Sequence, residues 1–274
     1  VPSGSPGGAG TSRAALEIAV TSPAGARAAR EHGADRVELS TGLELGGLTP
    51  SAASVEAVTA VGLPVQALVR CRPGDFVYEA EEIALMVAEV RSVVASGASG
   101  VVVGALTTAG SLDIDAVTRL ADAAHDAARN QGRSIDVTLH RAIDQSADPA
   151  AAAALLPALG ITRVLTSGGA ATAAAGLATL ASMVAAAPGV QVMAGGGVRT
   201  TDIPALVTAG VAAVHLSAKA RAEARRGGAW IPLGVSGTSA LQDTHFVTDP
   251  QVVAEARQAL DGTDKRAPGL SQCA

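Results

Sequence analysis

The feature that most constrains this chain is a rhythm. Short runs of β-branched and small apolar residues alternate with longer alanine-rich runs, eight times over. The β-type runs fall at 15–20, 35–40, 64–70, 100–104, 135–140, 163–167, 190–195 and 212–217. Helix-type runs follow at 23–32, 50–61, 79–96, 113–131, 148–159, 170–187, 201–209 and 249–260. β-Branched side chains pack well on a pleated surface, and alanine carries the least helix cost. Apolar strands joined by helical crossovers are the pattern of a parallel sheet buried on both faces. An open doubly wound sheet shares that pattern. Eight units fill the 274 residues without a second domain, and a barrel of eight units needs about 250. The expected fold is therefore a single-domain, eight-stranded parallel (β/α)8 TIM barrel over 14–262. Residues 1–13, rich in Gly, Ser and Pro, and residues 263–274 are expected to be loose tails.

Glycine punctuates the rhythm. Gly33, Gly97, Gly160 and Gly210 each stand between a helix-type run and the next strand, where a left-handed residue ends a helix. The core has to be aliphatic, because 48% of residues are apolar and only 1% aromatic. The net charge of −5 argues against nucleic acid as an obligate partner. No apolar run has the length of a membrane span and no charged-then-apolar leader opens the chain, so no membrane partner and a cytoplasmic location are expected. Cys71 and Cys273 are far apart and form neither a disulfide framework nor a zinc spacing.

A barrel strand points alternate residues inward, where aliphatic side chains are the norm. Here several strands carry ionisable residues instead. Glu17 lies in the first strand, and Glu38, with Ser40 on the same face, in the second. Arg70 ends the third, followed by Cys71, Arg72 and P-G-D-F (73–76), which includes Asp75. His140 ends the fifth, followed by Arg141 and Asp144, and His215 and Ser217 share a face of the eighth. Strand ends from distant parts of a barrel meet at one mouth. So many charges sharing a cavity are costly unless they pair or meet a ligand. Pairing of Glu17 and Glu38 with Arg70 is the purely structural alternative. The last three strands end in glycine-rich turns: L-T-S-G-G (165–169), M-A-G-G-G-V-R (193–199) and H-L-S-A (215–218). Glycine lets backbone N–H groups approach an anion, so Ser167, Gly168, Gly195, Gly196, Gly197, Arg199 and Ser217 are expected to form an anion cradle. Turning the chain is the alternative role for those glycines.

These residues resemble a known family. L-E-I (16–18), G-A-D-R-V-E-L (33–39), G-G-L-T-P-S (46–51), R-C-R-P-G-D-F-V-Y (70–78), H-R-A-I-D (140–144), L-T-S-G (165–168), A-G-G-G-V-R (194–199) and V-H-L-S-A (214–218) stand in the order and at the spacing of the CutC family. The resemblance covers about residues 15–220. It implies a cytoplasmic β/α barrel and, through the family's name, a part in copper homeostasis, with copper as the ligand in some members. Copper-associated members carry cysteines just after L-E-I and V-E-L, where this chain has Ala19, Val20 and Ser40. Soft monovalent copper prefers sulfur. Cys71 is the thiol left near the mouth, and its arginine neighbours are expected to favour the thiolate while opposing a bound cation.

Two functional readings follow. In the first, the chain binds a metal through Cys71, His140 and His215. In the second, it is an enzyme of lyase, isomerase or aldol type that needs no cofactor and acts on a small phosphorylated or carboxylated metabolite. Glu17, Glu38, Arg70, His140, Arg141 and His215 would then be catalytic, with Arg72, Asp75, Asp144 and the glycine-rich cradle holding the anion. Lys219 and Lys265 are the only lysines, and Lys219 lies just beyond the eighth strand, so a Schiff-base route has little support. G-G-G-V-R lacks the spacing of a dinucleotide fingerprint. A barrel that has lost catalysis and serves in a complex is a third possibility. Segment 219–248, with Trp230 and His245, departs most from the rhythm. Its expected roles are to cover the mouth, to pack on the base or to form a homo-oligomer contact, which Trp and Arg favour.

Overall fold

A computed structural model of the chain describes residues 13–223 and 245–264. Strands β1 (Ala15–Val20), β2 (Arg36–Leu39), β3 (Val65–Leu68), β4 (Gly100–Val103), β5 (Asp136–Leu139), β6 (Arg163–Thr166), β7 (Gln191–Ala194) and β8 (Ala213–Leu216) close into a barrel in chain order. Every neighbouring pair is parallel, and β8 returns to β1. Helices α1 (Pro23–Glu31), α2 (Ala52–Thr59), α3 (Ala80–Ala95), α4 (Ile114–Arg129), α5 (Pro149–Leu155), α6 (Leu177–Ala186), α7 (Ile203–Thr208) and α8 (Pro250–Asp264) follow the strands. Each strand lies within its expected run.

The large apolar core unites strand residues such as Val37, Leu39, Val101, Val103, Val137 and Leu139 with helix residues such as Met86, Val90, Leu120 and Ala124. A second, small cluster of Leu165, Met193 and Ala213 packs apart from it. Between these positions the strands bury Glu17, Arg36, Glu38, Gln66, Thr138 and Arg163. The barrel interior is thus unusually polar for its fold, which fills with branched aliphatics.

Three expectations need correction. The helix expected from 170 begins at Leu177. Residues 170–176 instead dock on the neighbouring turn, with Ala173 N–H donating to the Gly196 carbonyl at 2.9 Å. There is no room for a side chain at Gly176, where an added Cβ would lie 1.9 Å from the Ser167 carbonyl oxygen. Tertiary docking here overrides alanine's helix preference. Arg13, placed in the loose amino tail, pairs with Asp35 at 2.9 Å and Asp261 at 3.1 Å. The last helix runs on to Asp264, into the stretch expected to be a loose tail.

Of segment 219–248, β9 (Lys219–Arg221) pairs antiparallel with β10 (Phe246–Thr248), and the Lys219 ammonium sits 4.5 Å from the Phe246 ring centre. His245 is exposed, and Trp230 lies outside the described residues. No helix among the described residues is long and apolar enough to cross a membrane.

Candidate functional site at the barrel mouth

A cavity of about 160 Å³ opens among the carboxyl ends of the strands. Strands and their ends supply Ala19, Glu38, Ser40, Leu68, Arg70, His140, Leu165, His215 and Ser217, and loops supply Leu43, Gly46, Phe76 and Arg141. The two-residue period of a strand explains the set. Glu38 and Ser40, Leu68 and Arg70, and His215 and Ser217 are each two apart and face the same space. Gly104 keeps that space open, since a Cβ there would lie 2.5 Å from His140 Cε1.

Below the cavity the interior charges are paired. Glu17 Oε2 accepts from Arg36 Nε at 2.5 Å, and Glu17 Oε1 lies 2.8 Å from His215 Nδ1. Burial alone would raise the Glu17 pKa, but His215 and Arg36 outweigh it and hold the carboxyl near 2. Arg163 donates to Gln191 Oε1, Thr138 Oγ1 and Asp136 Oδ2 at 3.1, 3.2 and 3.1 Å. Sequence reasoning missed Arg36 and Arg163. A signal was present, since Arg36 is two residues before Glu38 and Arg163 two before Leu165.

The mouth is different. Glu38 Oε2 is buried without a hydrogen-bond partner. Burial pushes this carboxyl up to about 7, with His215 opposing and the Glu17 charge adding to the rise. His215 is itself raised: burial disfavours its cation, and the Glu38 and Glu17 carboxylates more than offset that. Arg70 does not pair with Glu17 or Glu38. Its guanidinium donates to the carbonyls of Leu45 and Gly47 at 3.1 Å and of Gly74 at 2.7 Å, tying two loops together. It is 6% exposed, and it forms no salt bridge among the described residues.

His140 caps the short 3₁₀ helix Arg141–Gln145, its Nδ1 accepting from Ala142 N–H at 3.1 Å. A backbone N–H can only donate, so Nδ1 is the acceptor and the neutral ring carries its proton on Nε2. Burial, then the Arg70 charge, push its pKa down to about 3. Nε2 is buried and has no partner. The ring tilts against Phe76, with centroids 4.8 Å apart.

Beside this space, the loop after β6 binds an internal anion. Asp144 accepts from Ser167 N–H at 3.0 Å, Gly169 N–H at 3.1 Å, Thr166 Oγ1 at 2.5 Å and Ser167 Oγ at 3.0 Å. Arg141 Nε completes the set at 2.7 Å, and Arg141 Nη2 reaches Ser167 Oγ at 3.0 Å.

The candidates named from sequence therefore divide. Glu38, Arg70, His140, Arg141, His215 and Ser217 line one cavity, and Glu17 supports it from below. Asp144 and Ser167 face each other, and Gly168 N–H donates to Thr166 Oγ1 at 2.8 Å. Gly195 N–H is spent on the Thr166 carbonyl at 2.9 Å. Gly196 lies against the Arg141 guanidinium and Gly197 against Thr172. Arg199, Arg72 and Asp75, like Asp144, Ser167 and the glycines of the expected cradle, do not line the cavity. Arg199 is 76% exposed in its side chain and held by Asp202 at 2.9 Å. Arg72 is held by Glu82 at 2.5 Å and Asp75 at 3.2 Å, an arrangement that shapes the loop after β3.

Cys71 is not gathered with His140 and His215 around the cavity. Its thiol is raised by burial and by Glu82 and Glu89, more than Arg72 lowers it, which reverses the expectation of a favoured thiolate. Among the described residues the group that could hold a metal is Glu17, Glu38 and His215, with ligand atoms within 4.8 Å of one another. These are hard oxygen and nitrogen donors, and Arg36 already occupies Glu17. The Met193 thioether lies 3.1 Å from Arg36 Nη2. Monovalent copper wants soft sulfur ligands away from fixed cations, so the residues present do not fit it.

Comparison with known proteins adds to the geometry. The CutC family model matches residues 14–220. A CutC family protein of Xylella fastidiosa (strain Temecula1) is 45% identical over 219 residues, covering 79% of each chain. One of Klebsiella pneumoniae (strain 342) is 40% identical over 220 residues, covering 80% of this chain and 82% of the relative. A solved structure from Streptococcus agalactiae, named as a copper homeostasis protein, CutC, is similar with a TM-score of 0.66 and 25% identity. It covers 74% of this chain and 98% of that one.

Proposed function

The chain belongs to the CutC family, and from that premise we propose that its barrel mouth binds a small anionic metabolite and moves a proton within it. Three residues lining one cavity hold buried, unpartnered atoms, Glu38 Oε2, Arg70 Nε and His140 Nε2, and the carboxylate and imidazole among them carry this reading. A buried polar atom without a partner costs roughly 1–3 kcal/mol, and a ligand that met both would recover it.

The roles follow from the two protonation states. A carboxyl poised near 7 suits a general base at neutral pH. Glu38 takes a proton from a carbon beside a carbonyl, and the electron pair moves onto the carbonyl oxygen. His140 Nε2–H donates a hydrogen bond to that oxygen, and the Arg70 charge stabilises it. Return of the proton at the neighbouring atom gives an isomerisation, and loss of a substituent there gives a lyase reaction. His215, held by Glu17, tunes Glu38 from below. No step calls for a cofactor. A small-metabolite enzyme of this kind belongs in the cytoplasm.

The test is hydrogen exchange. Small carboxylates that stabilise the protein are incubated with it in D2O, and loss of the activated C–H signal is followed by NMR. Glu38→Gln is expected to slow exchange at least 100-fold, within the range for a lost general base. Equal rates in both proteins, or no stabilising anion, would remove the reading. Copper homeostasis is what the family name and the Streptococcus agalactiae relative's name suggest. For this chain we expect no retained copper after anaerobic titration of the reduced protein, with a cysteine-bearing family member as positive control.

A further inference from the structure

We infer that Asp144 occupies the phosphate cradle of this barrel, so that the mouth selects small carboxylates and rejects phosphorylated compounds. This rests on the reading of the mouth as an anion site and narrows it to a substrate class. Barrels that take phosphorylated substrates commonly hold the phosphate on the loops after the seventh and eighth strands, with backbone N–H groups facing it, and in this chain the loop after β6 docks on the turn after β7. Here the loop after β6 presents such groups, and they converge on a carboxylate of the chain itself. Ser167 N–H reaches both Asp144 oxygens at 3.0 Å, and Gly169 N–H reaches Oδ1 at 3.1 Å. The Asp144 side chain is 6% exposed. Arg141 seals the neighbouring turn, where a Cβ on Gly196 would lie 2.9 Å from Arg141 Cζ. A phosphate dianion would have to displace a buried carboxylate held by backbone N–H groups and by a partly exposed Arg141, and its charge would repel that carboxylate.

What is left for a ligand lies elsewhere in the cavity. His140 offers its Nε2–H and Arg70 its uncompensated charge. Leu68, Leu165 and Phe76 supply apolar wall. The volume of about 160 Å³ is close to that of a cavity of about 150 Å³ that takes benzene. A planar carboxylate with a few more heavy atoms fits that space.

Isothermal titration with charge-matched probes tests the inference: malonate and inorganic phosphate, with pyruvate as a monoanion. The wild-type protein is expected to bind malonate or pyruvate at least tenfold more tightly than phosphate. Asp144→Gly, which empties the cradle, is expected to gain phosphate affinity at least tenfold, with a phosphate-dependent rise in Tm that the wild type lacks. Phosphate binding to the wild type as tightly as the carboxylates would overturn this inference and leave the anion site standing. Binding of none of the probes by the wild type would overturn both. Should Asp144→Gly fail to fold, the wild-type ratio of carboxylate to phosphate affinity still decides.

Discussion

The interior of this barrel has a floor and a mouth, built by the same strands and only one pleat apart. On β2, Arg36 belongs to the floor and Glu38 to the mouth; on β5, Thr138 belongs to the floor, and His140, just past the strand's end, to the mouth. Two residues along a strand is about 7 Å. Over that distance the chemistry changes. Buried side-chain atoms lacking a partner include Glu38 Oε2 and His140 Nε2, but none from Glu17, Arg36, Gln66, Thr138 or Arg163. A polar barrel interior is therefore not in itself a sign of function. The floor is polar and closed, and its charges answer one another. The mouth is polar and open, and Glu38 Oε2 and His140 Nε2 there have no partner among the described residues.

The floor should break hardest. Glu17→Gln leaves the Arg36 guanidinium, 8% exposed, without its countercharge, and breaking a buried pair costs about 3–5 kcal/mol. Urea unfolding at pH 7 measures this, and a loss under 1 kcal/mol would mean that the pair does not hold the floor. The acid limb carries the same signature. Glu17 is depressed in the folded state from 4.5 to about 2, so its stabilisation is complete above 4.5 and disappears as pH falls through 2. The variant should lose that limb.

Glu38→Gln should do the opposite. Glu38 is raised from 4.5 to about 7 when folded. Its contribution is fully present below 4.5 and is lost as pH rises through 7. Gln carries no such penalty, so the variant should match the wild type at pH 4 and exceed it by roughly 1–3 kcal/mol at pH 8.5. A variant less stable than wild type at pH 8.5 would assign Glu38 to the floor.

His140→Asn retains a side-chain oxygen able to cap the 3₁₀ helix and removes the Nε2–H. It should cost about 1–2 kcal/mol of stability and at least tenfold in ligand affinity by titration. Unchanged affinity would separate His140 from the site. Arg199→Ala should do least. The Arg199–Asp202 pair is exposed on the Arg199 side, so urea unfolding should show essentially unchanged stability, and ligand affinity should not move at all.

Much of this was legible before any coordinates. The alternation of β-branched and alanine-rich runs marked every strand, because a buried parallel strand tolerates little else. Period-two spacing also marked Glu38, Arg70, His140, His215 and Ser217 as sharing an end of the barrel. The limit came at partner choice. Arg70 was the counterion in the structural alternative for Glu17 and Glu38, yet it binds three loop carbonyls. Arg36, the register partner of Glu17 on β2, takes that role for Glu17 alone. Arg199 read as a phosphate ligand because it follows three glycines, yet its nearest carboxylate is three residues away in sequence, and the local pair wins.

The sequence by itself determined the barrel, the apolar layer under the helices and the set of strands that meet at the mouth. All three depend on period and composition, which are local properties. Only the tertiary structure decided which charges are answered. That depends on distances between strands far apart in the chain, such as Glu17 to His215 and Asp144 to Ser167. Glu17, paired with a guanidinium, is held near 2, and Glu38, a pleat higher and without a hydrogen-bond partner on Oε2, is pushed up to about 7. No local pattern distinguishes them, because the energy of a buried charge is set by its neighbours in space.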